Sequence, residues 1–174
     1  MTHAVPGAAR QADQQLVTPA EKDRIMTETI ARISPVTLSL AEARRLTDRA
    51  IAEAGALGVP YTITVLDGGG NTVQVTRMDG AALASIDTSL AKARTAVYFG
   101  AATADLAGAV QPGAPMFTIA TATTLPLAFV AGAVPIFADG AVIGAIGAGG
   151  GSPDQDHKVA AAAAAALDGA GAAR

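Results

Sequence analysis

Residues 61–76 have the sequence YTITVLDGGGNTVQVT, and this stretch decides the fold. Apolar and polar side chains alternate over residues 61–66 and again over 72–76, as they do in strands with one buried face. The residues between these runs, Asp67 to Asn71, are rich in glycine and tolerate positive φ angles. The stretch therefore predicts a β-hairpin.

A second hairpin is predicted nearer the carboxyl end of the chain. Residues 134–138 and 141–148 are mostly apolar, and the turn signal Asp139-Gly140 lies between them. Each hairpin is followed by a helical pattern, over residues 85–98 after the first and up to Leu167 after the second. Two hairpins, each with a helix behind it, predict an α+β fold in which helices pack on an antiparallel sheet.

Two capping boxes predict helices ahead of the first hairpin. Thr18-Pro19-Ala20-Glu21 indicates an accessory helix to about Arg32, and Ser39-Leu40-Ala41-Glu42 indicates a stronger helix that Gly55 and Gly58 end.

The domain organisation follows from these boundaries. The first 17 residues show no periodicity, so we expect a mobile tail there. A mobile tail and accessory N-terminal helix are expected over residues 1–35, and a single domain over residues 36–174.

Composition excludes several classes of function. The chain has 174 residues, no cysteine and a formal net charge of −3. Thiolate zinc sites, iron–sulfur clusters and cysteine nucleophiles are excluded because each needs the missing sulfur. No basic cluster exceeds Arg44-Arg45, so a nucleic-acid partner is not expected.

Small side chains dominate the apolar residues, which make up 51% of the chain, whereas aromatic residues make up 3%. Each small side chain buries little area, so we expect a homo-oligomer. Residues 106–138 carry no charged side chain, but four prolines interrupt them and argue against a membrane span. The absence of a secretory signal pattern predicts a cytoplasmic location.

Lys92 and His157 are the residues best suited to bind a ligand or transfer a proton. Lys92 lies between apolar positions of a sparsely charged helix, where partial desolvation suits it to meet an anionic ligand or act as a base. His157 lies in the first turn of the last helix. It is either a ligand or acid–base group at a pocket rim, or a solvated residue in a helix that Ser152 or Asp154 caps. The glycine-rich segment that precedes this helix, residues 147–151, either presents backbone amides to an anion or permits close packing.

Two further local features carry structural predictions. Asp67 or Asp79 is expected to form a buried ion pair with Arg77. Thr103 is expected to cap a short helix, with Asp105 in its first turn.

These residues together resemble the GlcG/HbpS-like family, which is also similar to the C-terminal domain of PduO proteins. The resemblance spans about Val36 to Leu167. It is carried by Leu40-Ala-Glu-Ala-Arg-Arg, Gly58-Val-Pro-Tyr-Thr-Ile-Thr-Val-Leu-Asp67, Arg77-Met-Asp-Gly80, Lys92-Ala-Arg-Thr-Ala96, Thr103-Ala-Asp-Leu106 and Gly140-Ala-Val-Ile-Gly-Ala-Ile-Gly147.

The resemblance implies a profilin-like or PAS-like antiparallel sheet flanked by helices, a homo-oligomer that is a dimer or a larger even-numbered assembly, and haem as a ligand. It also implies Thr103 as a contact to the iron, whereas histidine is the ordinary axial ligand and the domain offers His157. The sequence departs from the family at Val130 to Pro135, where paired glycines are lost, and at His157, which replaces an acidic residue.

Three hypotheses follow, and whether the chain is an enzyme is left open. The first is a small-ligand-binding protein with haem or a related tetrapyrrole as the first candidate ligand. Thr103, Lys92 and His157 would contact the iron or the propionates, and the amides of Gly149, Gly150 and Gly151 would support them. The second is a cofactor-free enzyme in which Lys92 or His157 moves a proton on a small carbonyl or carboxylate metabolite, in lyase or isomerase chemistry. The third is an interaction module without a ligand.

Overall fold

The computed structural model describes residues 18–20 and 37–168. The chain divides into two units, Met1–Ser34 and Pro35–Arg174. Residues 19 and 20 of the first unit are helical. The predicted tail and most of the predicted accessory helix lie outside the described residues, and the elements below all belong to the second unit.

Four strands form one antiparallel sheet. They are β1 (Thr62–Asp67), β2 (Thr72–Arg77), β3 (Ala133–Ala138) and β4 (Ala141–Gly149). The order across the sheet is β2-β1-β4-β3, so the two hairpins meet along β1 and β4, with Thr62 opposite Gly149. Both predicted hairpins and the α+β class are confirmed.

Helices cover both faces of this sheet. They are α1 (Leu40–Leu57), α2 (Ala84–Phe99), the four-residue α3 (Thr103–Leu106) and α4 (Pro153–Asp168). Helices α1 and α4 pack on one face, which we call the aliphatic face because Ile63, Val65 and Ile146 point toward it. Helix α2 covers the opposite face, which we call the α2 face.

The α2 face is packed with small and hydroxyl-bearing side chains. Thr62 and Thr64 of β1 form hydrogen bonds with Ser85 and Ser89 of α2, with oxygen–oxygen distances of 2.6 and 2.8 Å. A Cβ atom on Gly147 would collide with the carbonyl oxygen of Ser89. Glycine at this position therefore lets α2 approach β4 closely.

The turns and caps use the local signals that the sequence carries. Ser39 and Glu42 form the predicted capping box of α1, and Gly58 ends that helix in the left-handed conformation. Gly55, which was also expected to end it, lies within the helix. The second hairpin turns through Asp139 and Gly140, whose φ angles of 50° and 78° suit a tight two-residue turn.

Two local predictions are wrong. The Asp67 carboxylate accepts hydrogen bonds from the backbone amides of Gly69 and Asn71 at 2.9 and 2.8 Å, so it stabilises the first turn. No ion pair of the described part of the chain joins Arg77 to Asp67 or Asp79. Thr103 is the first residue of α3 rather than its cap, because its hydroxyl bonds to the backbone of β3.

The segment between α3 and β3 is irregular. It contains two short 3-10 helices, Ala107–Val110 and Ile119–Ala122, and it exposes large apolar side chains such as Phe117 and Leu125. Within residues 18–20 and 37–168, no helix is long and apolar enough to cross a bilayer.

Candidate functional site

A pocket of about 350 Å³ opens where α2 and α4 begin and β4 ends. The segment that leads into β3 closes its remaining side. The lining residues are mostly small and apolar: Ala82, Ala84, Ser85, Thr88, Lys92, Ala128, Val130, Gly150, Gly151, Pro153 and Asp156.

The pocket contains a buried ion pair. Lys92 Nζ lies 2.5 Å from Asp156 Oδ2, and the two residues are only 5% and 3% exposed. A charge removed from water needs a partner, and each group has one in the other. Secondary contacts complete the pair, because Nζ donates to the carbonyl oxygen of Ala148 at 3.4 Å and Oδ1 accepts from the amide of Gly151 at 2.8 Å.

Both charged groups keep hydrogen-bonding capacity for a ligand. An ammonium has three donors, and two of those on Lys92 have the partners just named. A carboxylate has about four lone-pair positions, and Asp156 uses two of them in the same contacts. Since both residues line the pocket, a small ligand can reach this remaining capacity.

Gly132 provides the space for the ion pair. Its φ angle is 136°, and a Cβ atom there would lie 2.7 Å from both Lys92 Nζ and Asp156 Cβ. The carbonyl oxygen of Gly132 accepts a hydrogen bond from the amide of Ala148 at 2.8 Å. Of the paired glycines expected in this segment, the one at position 132 is present, where the backbone and the ion pair require it, and position 131 is alanine.

Tyr61 lies next to the ion pair. Its side chain is fully buried, and its hydroxyl lies beside the Asp156 carboxylate, although it forms no hydrogen bond of standard geometry among the described residues. Burial raises the pKa of Tyr61, and the negative charge of Asp156 raises it further. The hydroxyl therefore stays protonated at neutral pH and remains a hydrogen-bond donor.

Two side chains of α2 hold the pocket wall that is formed by the segment before β3. Arg94 donates to the carbonyl oxygen of Pro126 at 2.9 Å, and the Thr95 hydroxyl accepts from the amide of Ala128 at 2.9 Å. The Lys92-Ala-Arg-Thr-Ala96 motif thus supplies both the pocket cation and the anchors of one wall.

The structure brings together some of the sequence-predicted site residues and separates others. Lys92 and Gly150 line the pocket. Gly149 lies outside the lining and packs closely against α2, because a Cβ atom there would lie 2.9 Å from the Thr88 hydroxyl. Thr103 and His157 are also outside the lining.

Thr103 and His157 have different surroundings. Thr103 is fully buried, and its hydroxyl accepts from the amide of Ala133 at 3.0 Å and donates to the carbonyl of the same residue at 3.4 Å. His157 is partly exposed in the first turn of α4, where the hydroxyl of Ser152 accepts from the amide of Gln155. His157 Nδ1 is buried without a partner within the described ranges.

Sequence reasoning missed Asp156 and Tyr61 as members of the site. The sequence places Asp156 in the first turn of the last helix, where a carboxylate ordinarily complements the helix dipole. A lysine among apolar positions does signal that an acidic partner exists, but the partner lies 64 residues away along the chain. Tyr61 is within the alternating pattern of the first hairpin and gives no separate signal.

Known proteins resemble this chain over most of its length. A family model described as "Haem degrading protein HbpS-like" matches residues 38–165. A 15.0 kDa protein of the dhaT–dhaS intergenic region of Citrobacter freundii is 37% identical over 124 residues, which cover 71% of this chain and 87% of that protein.

Two further similarities involve PduO proteins. The corrinoid adenosyltransferase PduO of Salmonella typhimurium is 34% identical over 135 residues, covering 78% of this chain but only 40% of PduO. The crystal structure of a PduOC:heme complex superposes with a TM-score of 0.72 at 34% identity, covering 75% of this chain and 95% of that one.

Proposed function

Because the chain belongs to the HbpS-like family, we propose that it is a small-ligand-binding protein whose ligand is haem or a related tetrapyrrole. The observation that carries the proposal is the similarity to nearly the whole PduOC chain whose structure is a complex with haem. The pocket between α2, β4 and α4 is the proposed site. The chain covers less than half of PduO, so the adenosyltransferase activity of that protein is not part of the proposal.

The pocket of about 350 Å³ suits one edge of a haem group, since the whole macrocycle is larger than this volume. A tetrapyrrole has apolar faces and carboxylate substituents. Ala128, Val130 and Gly150 offer small apolar walls, and the free donor of Lys92 suits a propionate. When bound, haem supplies a redox-active iron.

The iron requires a ligand from outside this lining. The ordinary protein ligands of haem iron are histidine, cysteine, methionine and tyrosine, and none of the residues lining the pocket is of these types. His157 and Thr103 are the proposed ligands. His157 is the better of the two, because its Nδ1 has no partner within the described ranges, whereas the Thr103 hydroxyl is engaged with Ala133. Since this nitrogen is buried outside the lining, the imidazole must rotate to reach an iron in the pocket.

A homo-oligomer is the second element of the proposal. Leu83 is 75% exposed and Val130 46% exposed beside the pocket, and Phe117 and Phe137 are about half exposed elsewhere. A second copy of the chain would cover such apolar side chains and remove them from water. The cytoplasmic location stays a prediction.

A hemin titration followed at the Soret band tests the haem proposal. We expect saturation at a fixed ratio of hemin to chain, and a shifted band that is lost in His157→Ala. Thr103→Ala is measured in parallel, with Thr72→Ala on the exposed edge strand as its matched control. A featureless rise that does not saturate in any of these proteins would overturn the proposal, since it indicates partitioning without a site.

A further inference from the structure

The haem proposal uses Lys92 only as a cation and gives Asp156 and Tyr61 no chemical role. All three are at least nine-tenths buried, and the two charged residues line a pocket. An acid and a base held 2.5 Å apart in a pocket are the components of proton-transfer catalysis.

The electrostatics of the pocket favour a ligand that carries a carboxylate. The 16-residue helices α2 and α4 both begin there, with Ala84 and Ser85 from the first turn of α2 and Pro153 from that of α4 in the lining. Helix α2 has no side-chain cap at its amino end. The amino end of α2 and the free donor of Lys92 thus face one small volume. The amino end of α4 contributes less, because its first turn carries Asp154 and Asp156 and hydrogen bonds between Ser152 and Gln155 cap its amides.

We propose that the pocket binds a small 2-oxo carboxylate and that Lys92 and Asp156 interconvert its keto and enol forms. The volume of about 350 Å³ suits a metabolite of this size. The amino end of α2 receives the carboxylate, and the carbonyl oxygen and the neighbouring C–H group lie at the ion pair. This activity needs no haem, and bound haem would block it, because both ligands would occupy the same pocket and use Lys92.

The proton-transfer step is balanced without a further reactant. The C–H bond next to the carbonyl breaks, its proton goes to Asp156, and its electron pair forms the carbon–carbon double bond. The carbonyl oxygen takes a proton from Lys92 Nζ and becomes the enol hydroxyl. Lys92 is then a neutral amine and Asp156 a carboxylic acid. Transfer of the acid proton to Nζ over the 2.5 Å contact restores the starting pair.

Tyr61 acts as a positioning residue for Asp156. Its hydroxyl lies at Gly151, where a Cβ atom would collide with it, and the Gly151 amide donates to Asp156 Oδ1. The protonated hydroxyl supplies a positive dipole beside the carboxylate and lowers the cost of keeping that charge buried.

Deuterium exchange into pyruvate tests the proposal on haem-free, full-length protein. In D₂O the catalysed enolisation replaces the methyl protons of pyruvate, which proton NMR measures directly. We expect exchange that saturates with pyruvate and falls at least a hundredfold in both Lys92→Met and Asp156→Asn. Exchange no faster than in buffer, or full exchange in either variant, overturns the proposal.

The control variants separate catalysis from folding. Lys158→Met removes an exposed lysine of α4 that pairs with Glu53, and it is expected to leave exchange unchanged. Since removing one partner of a buried pair can unfold a protein, the double variant Lys92→Met/Asp156→Leu replaces both charges with apolar groups of similar size. We expect this double variant to fold and to show no deuterium exchange into pyruvate. Exchange at the native rate would overturn the catalytic roles of Lys92 and Asp156.

Borohydride reduction distinguishes the acid role of Lys92 from covalent catalysis. Lys92 acting as a proton donor forms no bond to carbon, so the mass of the chain stays unchanged after treatment with pyruvate and borohydride. A reduced pyruvate adduct on Lys92 overturns the acid role. The Soret titration has a separate readout, so failure of haem binding and failure of exchange are distinguishable.

Discussion

The two faces of the sheet are built from different side chains. The aliphatic face buries Ile63, Val65 and Ile146 against α1 and α4, and it forms the larger of the two apolar clusters. The α2 face buries Leu66 and Val97, but its other buried groups are threonines, serines, alanines and the bare backbone of Gly147. Large aliphatic side chains contribute more burial free energy per residue than small ones. The aliphatic face therefore carries most of the stability, and the α2 face provides the close helix approach that places Lys92 in the pocket.

The largest expected effect concerns the close packing of the α2 face. In Gly147→Ala the added Cβ meets the Ser89 carbonyl oxygen and lies 2.9 Å from the Ala93 amide nitrogen, both of them backbone atoms of α2. We expect the free energy of unfolding to fall by about 3 kcal/mol, measured by urea denaturation at one protein concentration.

The matched control for this prediction is Gly55→Ala. Gly55 lies inside α1, is exposed, and has no atom within 4 Å of an added Cβ. The free energy of unfolding of this variant should rise by about 0.5–1 kcal/mol, because alanine is the better helix former. Equal responses of the two glycines would show that the α2 face is not closely packed.

A reciprocal exchange on β1 compares the two faces within one strand. Val65→Thr places a hydroxyl on the aliphatic face, where it would have no hydrogen-bond partner. The free energy of unfolding should fall by about 2 kcal/mol. Thr64→Val removes a hydroxyl that is bonded to Ser89 on the α2 face and should cost about 1 kcal/mol. Both changes keep the side-chain shape, and thermal or urea unfolding measures them. A larger cost for Thr64→Val would reverse the assignment of the faces.

The fold was predictable because its signals are local. The alternation around Asp67 to Asn71, the Asp139-Gly140 turn and the capping box at Ser39 each act within a few residues. Local signals also misled: a charge near Arg77 suggested an ion pair, but the free amides of the turn lie closer to Asp67 and take its carboxylate.

The candidate site was predictable only in part because its decisive contacts are long-range. Burial of Lys92 could be inferred from its apolar neighbours on α2. Its partner Asp156 could not, since the sheet order and the close approach of α2 bring them together. Thr103 shows the same limit, because its hydroxyl bonds to Ala133 across the fold instead of capping its own helix.

The smallest expected effect concerns Tyr61, which joins the two regions by belonging to the aliphatic cluster while its hydroxyl lies at the pocket. Its pKa is raised by burial and by Asp156, so the folded protein keeps a proton that the unfolded chain loses above about pH 10. The contribution of this proton to the free energy of unfolding is therefore fully present below pH 10 and is lost as the pH rises above 10. At pH 10.5 this loss should be about 0.8 kcal/mol.

Tyr61→Phe removes this titration, so its stability should fall less steeply than that of the native protein above pH 10. At neutral pH the change should lower the free energy of unfolding by about 0.5–1 kcal/mol, because the hydroxyl dipole beside the Asp156 carboxylate is lost. Tyr98→Phe, which alters a tyrosine that is 48% exposed, is the matched control and should follow the native curve. Urea unfolding from pH 7 to pH 11 measures all three proteins. If Tyr61→Phe follows the native curve as well, the hydroxyl is hydrated, and the aliphatic face is open to water at the end where it meets the pocket.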